Sequence, residues 1–226
     1  MIAICALGWN KADFTQRWLE SVQRNSGGHT YGLFLMDNGS TDGGETSRVM
    51  QAFKPVIFER NEGNESIYRG WNRLAMQALK MGAEIVIISN NDLLVGPGWL
   101  DPVARELQQG VKRYFLPNGG VPQDDEGMRA VVAGKTGQTV QAIAGWCIMM
   151  YRDAVPLWYP IPEELQLWYG DNWIHSKLRN AGYTCEALLD CPVHHFTSTS
   201  FYSRPGYVEI VAKDREIYNR LTGENL

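Results

Sequence analysis

The sequence predicts an α/β fold with a mainly parallel central sheet flanked by helices. Three observations support this class. Apolar runs of four to seven residues alternate with amphipathic segments through the first 95 residues. Such runs are too short for free helices and fit buried strands. With 226 residues, 44% of them hydrophobic, the chain can bury a core of this kind.

The first half reads as regular alternation of strands and helices. The helix predicted at 13–24 places Trp18, Leu19 and Val22 at helical spacing. In chain order we predict strands at 1–7, 31–36, 56–59 and 84–89, and helices at 13–24 and 66–80. Together they predict a parallel sheet covered on both faces.

The second half is less regular. After Asn90, Pro and Gly interrupt the chain repeatedly. We predict an apolar run at 141–151, a helix at 171–180, short strands at 184–189 and 191–196, and a final helix at 206–221. Because no internal repeat or low-complexity linker separates the halves, we predict one domain over residues 1–226.

Composition narrows the class of protein. The net charge of −4 and pI near 5.6 argue against an electrostatic nucleic-acid binder. Four cysteines without C-x-x-C spacing predict buried thiols. No run of eighteen apolar residues and no signal-peptide pattern is present, so we expect a cytoplasmic protein without a transmembrane segment.

Two acidic turns follow predicted strands. Asp37 comes after the second strand and Asp92 after the fourth. Because parallel strands open on one edge, both carboxylates could face one cleft, where one accepts hydrogen bonds from a ligand and the other holds a divalent cation. The alternative is that both only cap helices or Asx turns.

The order of these motifs resembles the family 2 glycosyltransferases of the GT-A fold. The motifs are DNGSTDG at 37–43, NEGN at 61–64 with Asn72 downstream, NND at 90–92, GDNWI at 170–174 with RNAGY at 179–183, and VHHFTS at 193–198. The family moves a sugar from a nucleotide-sugar donor to an acceptor hydroxyl. The resemblance thus implies a single GT-A-like domain.

The resemblance implies that residues 1–95 bind a nucleotide-diphosphate sugar, with a UDP-sugar favoured. Asp37 takes the position that contacts the base or ribose. The residues expected to bind the donor are Leu7, Gly8, Asp37, Asn38, Asn61, Asn64, Asn72, Asn90 and Asn91. Arg69 and Arg73 could also reach a diphosphate, although a solvated helix face is the simpler interpretation.

The resemblance also implies a metal site for Mn²⁺ or Mg²⁺. Asp92 is the expected carboxylate ligand, His195 the expected imidazole and His194 the second choice. Asn90 stands where the family often has Asp, which leaves one carboxylate. The alternative for the histidine pair is one ring in the core and one in solvent.

Asp171 takes the general-base position of the family. A sugar hydroxyl is a poor nucleophile, so transfer needs a base to accept its proton and a cation to stabilise the leaving diphosphate. That division of labour implies one displacement with inversion. Gly170 and Trp173 depart from the family pattern, and the alternative for Asp171 is a helix N-cap.

Residues 96–226 are expected to bind the acceptor. Trp146, Trp168 and Trp173 surround Asp171 in sequence and could offer flat faces to a sugar or base, although most tryptophans are core residues. The polar run at 198–204 could form a lid. The acceptor could be a glycan, a protein, a small molecule or a hydroxylated DNA base of phage type; the oligomeric state stays open.

The sequence also allows two other functions. A sugar nucleotidyltransferase would share the sheet, but it needs a Gly-rich loop with a basic residue after the first strand, and Gly8-Trp9-Asn10-Lys11 is sparse. The other is a carbohydrate-binding protein without catalysis on the same fold. Nucleotide release would separate these alternatives.

Overall fold

The parallel part of the sheet comes from the start of the chain. The computed structural model describes residues 1–196 and 206–226. Its parallel neighbours are β1 (Ile2–Gly8), β2 (Tyr31–Asp37), β3 (Ile57–Arg60) and β4 (Ile85–Ser89), in the order β3-β2-β1-β4. Because Gly8 pairs with Asp37, the carboxyl ends of β1 and β2 are level at one edge of the sheet.

A second set of strands continues the sheet beyond β4. It consists of β5 (Leu93–Val95), β6 (Arg113–Asn118), β7 (Thr139–Gln141), β8 (Cys147–Tyr151) and β9 (Thr184–His195). The order is β3-β2-β1-β4-β8-β6-β9-β5, with β7 paired to β9. β6 and β9 are parallel, and the other added pairs are antiparallel. The predicted α/β class is confirmed, and the sheet is mixed.

The two short strands predicted at 184–189 and 191–196 form one strand, β9. Pairing with β6 passes from Pro117–Leu188 to Asn118–Pro192, so residues 189–191 form an irregularity instead of a break. Asp and Pro are depleted inside strands, which is why the sequence pattern indicated an end there. The bulge takes up Asp190, and pairing resumes at Pro192 opposite Asn118, so the strand does not end.

Helices cover both faces of the sheet. Their bounds are α1 (Ala12–Asn25), α2 (Glu45–Ala52), α3 (Ile67–Lys80), α4 (Leu100–Glu106), α5 (Asp125–Val132), α6 (Val155–Trp158), α7 (Gly170–Asn180) and α8 (Tyr207–Thr222), with a 3₁₀ turn at Arg152–Ala154. Within residues 1–196 and 206–226, no helix has the length and apolar character that crossing a membrane requires.

The strand β1 contributes side chains to two hydrophobic cores, because alternate side chains of a strand point to opposite faces of the sheet. Ile4 packs in one core with Trp18 of α1, and Cys5 packs in the other with Trp71 of α3. Burial on both faces explains the continuous apolar run at the start of the sequence. The four cysteines are unpaired, and three of them are buried.

Candidate active site

A cleft of about 290 Å³ opens at the carboxyl edge of the parallel strands. The lining includes the predicted donor-binding residues Leu7, Gly8, Asn38, Asn64, Asn90 and Asn91. It also includes Asp92, Trp146, Trp168, Asp171 and His195. Residues from both halves of the chain therefore meet in one cavity.

Asp37 does not line this cleft. Its carboxylate is fully buried, and Oδ1 accepts a hydrogen bond from the Ser40 N–H at 2.8 Å. Oδ2 accepts from the Ser47 hydroxyl and lies 3.4 Å from the Arg60 Nε. Asp37 therefore holds its own turn together, which is the Asx-turn alternative. The resemblance implies that Asp37 contacts the donor; in this structure the next residue, Asn38, lines the cleft instead.

Asn38 lines the cleft and is fixed by its neighbours. Its Oδ1 accepts from Asn61 at 2.7 Å, and its Nδ2 donates to Asn64 Oδ1 at 3.3 Å. Asn61 in turn accepts from Arg73 at 3.1 Å. Asn61 therefore lies behind Asn38 as a support and does not line the cleft, in contrast to its predicted role.

Two further predicted residues lie outside the cleft. Asn72 is buried. Its Nδ2 donates to the Ile161 carbonyl at 2.8 Å, and its Oδ1 accepts from the Ile161 N–H at 2.9 Å. Trp173 donates from Nε1 to the Trp158 carbonyl at 2.8 Å, with the Lys177 ammonium 4.1 Å from its ring centroid. Asn72 thus ties α3 to the loop that contains Ile161, and Trp173 packs against the core.

Asp92 and His195 form a close pair in the cleft. Asp92 precedes β5, whose antiparallel pairing with β9 sets Leu93 opposite His195. Asp92 Oδ1 lies 3.4 Å from His195 Nε2, and both side chains are largely buried. The Trp146 ring stacks on the imidazole with centroids 5.0 Å apart. The ring is thereby held with Nε2 toward the carboxylate.

His194 points away from this pair, because adjacent strand residues face opposite sides. Its Nδ1 donates to the Val121 carbonyl at 2.7 Å. Its ring packs edge-on against Phe196. The structure therefore brings His195, and not His194, to Asp92.

Asp171 lies in the first turn of α7. The helix begins at Gly170 after Tyr169, which has the left-handed φ of 70°, so Asp171 is not the N-cap. Burial raises the pKa of the Asp171 carboxyl, while its own N–H, the Asn172 N–H and nearby His175 act in the opposite direction. A carboxylate with a raised pKa is a better proton acceptor than an exposed one.

Gly145 makes room for this carboxylate, and Gly170 makes room for the neighbouring Tyr68 ring. A Cβ on Gly145 would lie 2.2 Å from Asp171 Oδ2, and a Cβ on Gly170 would lie 2.1 Å from the Tyr68 ring. Tyr68 is buried beside Asp171, and burial followed by this carboxylate raises the pKa of its phenol well above the ordinary value. Asp171 therefore sits in a tightly packed pocket with a neutral phenol.

Gly145→Ala should displace Asp171 and reduce turnover. A displacement of about 1 Å can cost about 100-fold in rate, and overpacking should cost about 1–3 kcal/mol of stability. Gly28→Ala is the matched control, because nothing lies within 4 Å of a Cβ there. Steady-state kinetics and thermal unfolding measure both effects. A Gly145→Ala enzyme with unchanged turnover would contradict this placement.

The described cleft lining carries negative charge and no Lys or Arg. The nearby guanidinium groups are engaged elsewhere: Arg60 with Asp37, Arg73 with Glu59, and Arg69 with Glu163. Lys11 is exposed at the start of α1. A bound diphosphate would therefore face two carboxylates and no cationic side chain of the described lining.

Sequence reasoning missed three aromatic residues of the cleft. Trp9, Tyr68 and Trp71 line it, and no hydrogen bond to another described residue satisfies the buried Trp9 Nε1. Trp9 follows the first strand at the ligand edge, which was an available signal. Tyr68 and Trp71 share the helical spacing of core residues, and that spacing conceals a cleft wall. The polar run at 198–204, a candidate lid, lies outside the described residues.

Fold and site define an α/β protein with an acidic, aromatic ligand cleft at the carboxyl ends of its strands. The chain belongs to glycosyl transferase family 2, because the profile of that family matches residues 4–143, well over half of the sequence. This confirms the resemblance drawn from the motifs. No curated protein matches the sequence.

Solved structures share the fold. GalNAc-T7 with UDP, GalNAc and Mn²⁺ has a TM-score of 0.65 and 15% identity, over 86% of this chain and 43% of its own. Residues 1–349 of S. aureus TarS have a TM-score of 0.64 and 14% identity, over 98% of this chain and 72% of theirs. The same TarS segment in complex with UDP has a TM-score of 0.65 and 14% identity, over 99% of this chain and 72% of its own. The chain thus spans less than half of GalNAc-T7.

Proposed function

We propose that this chain transfers a sugar from a nucleotide-diphosphate sugar, with a UDP-sugar favoured, to an acceptor hydroxyl with inversion. The observation that carries this proposal is the shared cleft, which is lined both by Asp171, a carboxylate of raised pKa, and by the Asp92–His195 pair. Membership of glycosyl transferase family 2 and the UDP in two similar structures support the donor class.

Asp171 acts as the general base in this proposal. Its carboxylate takes the proton of the acceptor hydroxyl while that oxygen attacks the anomeric carbon. The bond from the anomeric carbon to the diphosphate oxygen breaks in the same step, so the configuration inverts. The neutral phenol of Tyr68 lies beside this carboxylate, and Gly145 leaves the space that the carboxylate occupies.

Asp92 and His195 suit a divalent cation, Mn²⁺ or Mg²⁺. Two ligands about 2.1 Å from one ion and at right angles lie about 3 Å apart, close to the 3.4 Å between Oδ1 and Nε2. Within the described ranges no group of three His, Cys, Asp or Glu side chains could hold an ion. Donor oxygens or water must therefore complete the site. When bound, a cation supplies positive charge to the leaving diphosphate.

The lining supports this requirement for a cation. Because the described cleft residues include no Lys or Arg, the side chains alone would repel a diphosphate. The same charge distribution favours a neutral acceptor, such as a glycan or small molecule, over a DNA base in a polyanion. Trp168, exposed by 39% at the rim, is the aromatic side chain best placed to contact it.

A panel of UDP-, GDP- and dTDP-sugars tests the proposal. With Mn²⁺ present we expect UDP-sugars to raise the unfolding temperature most, and the enzyme to release UDP from one of them. The same panel without metal is the control. Release of pyrophosphate would indicate a nucleotidyltransferase, and binding of a sugar nucleotide with no turnover would indicate a binding protein; either result would refute the proposed transfer.

A further inference from the structure

A buried carboxylate outside the cleft holds the wall that carries Trp168. Asp214, on α8, is 1% exposed. Its Oδ2 accepts hydrogen bonds from the N–H groups of Leu167 at 2.7 Å and Trp168 at 2.9 Å. Both carboxylate oxygens also accept from the Gln166 N–H, at 3.0 and 3.1 Å. Three consecutive backbone donors thus converge on one charged side chain.

The same segment is fixed from its other side by the start of α3. The Ser66 hydroxyl donates to the Leu165 carbonyl at 2.6 Å, and the Ile67 N–H donates to the Gln166 carbonyl at 3.2 Å. Residues 165–168 are therefore held between α3 and α8. This segment, which we call the clamp segment, contributes Leu167 and Trp168 to the cleft.

The clamp segment leads directly into the helix of the proposed base. Tyr169 follows it in the left-handed conformation, and α7 begins at Gly170. Further contacts from α8 support this junction: Arg215 donates to the Tyr169 hydroxyl at 3.0 Å, and the Tyr169 and Tyr218 rings lie 5.6 Å apart. The position of α8 therefore determines where Trp168 stands and where α7 starts.

We propose that Asp214 is a positioning residue that sets the acceptor side of the cleft, an inference that rests on the proposed function. Burying an ionised carboxylate is costly unless several donors satisfy it. Hydrogen bonds to a charged acceptor are about twice as strong as neutral ones, so this arrangement fixes three amide groups at once. None of these hydrogen bonds involves β1 or β4, the strands on which the donor side of the cleft is built.

The test compares Asp214→Asn with Glu216→Gln. The Asn side chain keeps the shape, but in either orientation its NH₂ donor meets the Gln166 N–H, which donates to both oxygens of the native carboxylate. Glu216 is exposed on the same helix. Hydrogen exchange at residues 166–168 should accelerate by about tenfold or more in Asp214→Asn and stay unchanged in the control. Affinity for UDP with Mn²⁺ should remain within about twofold in both. Unchanged exchange would overturn the proposal.

A kinetic comparison separates positioning from general destabilisation. With neutral p-nitrophenyl glycosides as acceptor probes, Asp214→Asn should raise the acceptor KM by about tenfold and leave the donor KM unchanged. A donor KM raised by the same factor would overturn the proposal. Asp214→Glu keeps the charge and should restore the protection of residues 166–168 from hydrogen exchange. This variant tests the proposal even if Asp214→Asn folds poorly.

The two proposals fail in different ways. A wild-type chain that releases no nucleotide from any sugar donor refutes the proposed function. The exchange measurement decides the role of Asp214 independently, because it needs no substrate and no accepted glycoside.

Discussion

Asp171→Asn should reduce sugar transfer by about 10²–10⁴-fold, the usual contribution of a general base. The amide has nearly the same shape and can still accept the local N–H bonds, but it cannot take a proton. Binding of UDP with Mn²⁺ should persist, because the expected metal ligands are Asp92 and His195. Steady-state kinetics and calorimetry of UDP binding measure the two effects.

The matched control is Asp153→Asn, which changes an exposed carboxylate in the same half of the chain.

Asp171→Asn should also change the stability of the fold in a defined direction. In the folded wild type the pKa of the Asp171 carboxyl is raised above the ordinary 3.8. Ionisation of this carboxyl therefore lowers the stability of the fold as the pH rises past that value. Asp171→Asn should therefore unfold at a higher temperature than wild type near neutral pH and lose this advantage below pH 3.8. Unchanged transfer would remove Asp171 from the mechanism.

Asp92→Asn and His195→Gln should weaken Mn²⁺-dependent UDP binding by about 10–100-fold or more, since even supporting residues of metal sites have effects of this size. Each change removes one atom of the Oδ1–Nε2 pair that lies 3.4 Å apart. Titration of UDP at fixed Mn²⁺, and of Mn²⁺ at fixed UDP, measures the loss. Chelation of the metal should have the same effect on wild type.

His194→Gln is the control for this experiment, because His194 bonds to Val121 on the other side of β9. It should bind UDP and Mn²⁺ like wild type. If the His194 variant loses binding and the His195 variant keeps it, the assignment of the metal site is wrong. If chelation changes nothing, the cleft binds its nucleotide without a cation.

Much of the fold follows from local patterns in the sequence. The strands β1, β2 and β4 are buried on both faces, so each appears as a continuous apolar run. The helices α1 and α3 show one apolar face each and were predicted within one or two residues at each end. Short elements such as β5 and α5 were not predicted, because three to eight residues carry little periodicity.

The site was harder to predict than the fold. The ligand-binding edge of the sheet follows from the alternation of strands and helices, and the family resemblance implied that Asp92 and His195 share a site. The direction of side chains within a turn follows from neither. Asp37 and Asn38 are adjacent, and only the folded turn shows that the amide faces the cleft.

Aromatic composition was similarly ambiguous. Trp168 and Trp173 flank Asp171 in sequence, yet one lines the cleft and the other packs on the core. Tyr68 and Trp71 do both, since the same wall faces the core and the cavity. The role of Asp214 depends on contacts more than 40 residues apart, which no local pattern reveals.

A crystal structure of the chain with UDP and Mn²⁺ tests the central claim most directly. The account predicts one Mn²⁺ between Asp92, His195 and the diphosphate, with the nucleoside near Gly8 and Asn38 and the diphosphate end toward Asp171. UDP bound outside this cleft, or bound within it while Mn²⁺ lies away from Asp92 and His195, would contradict it.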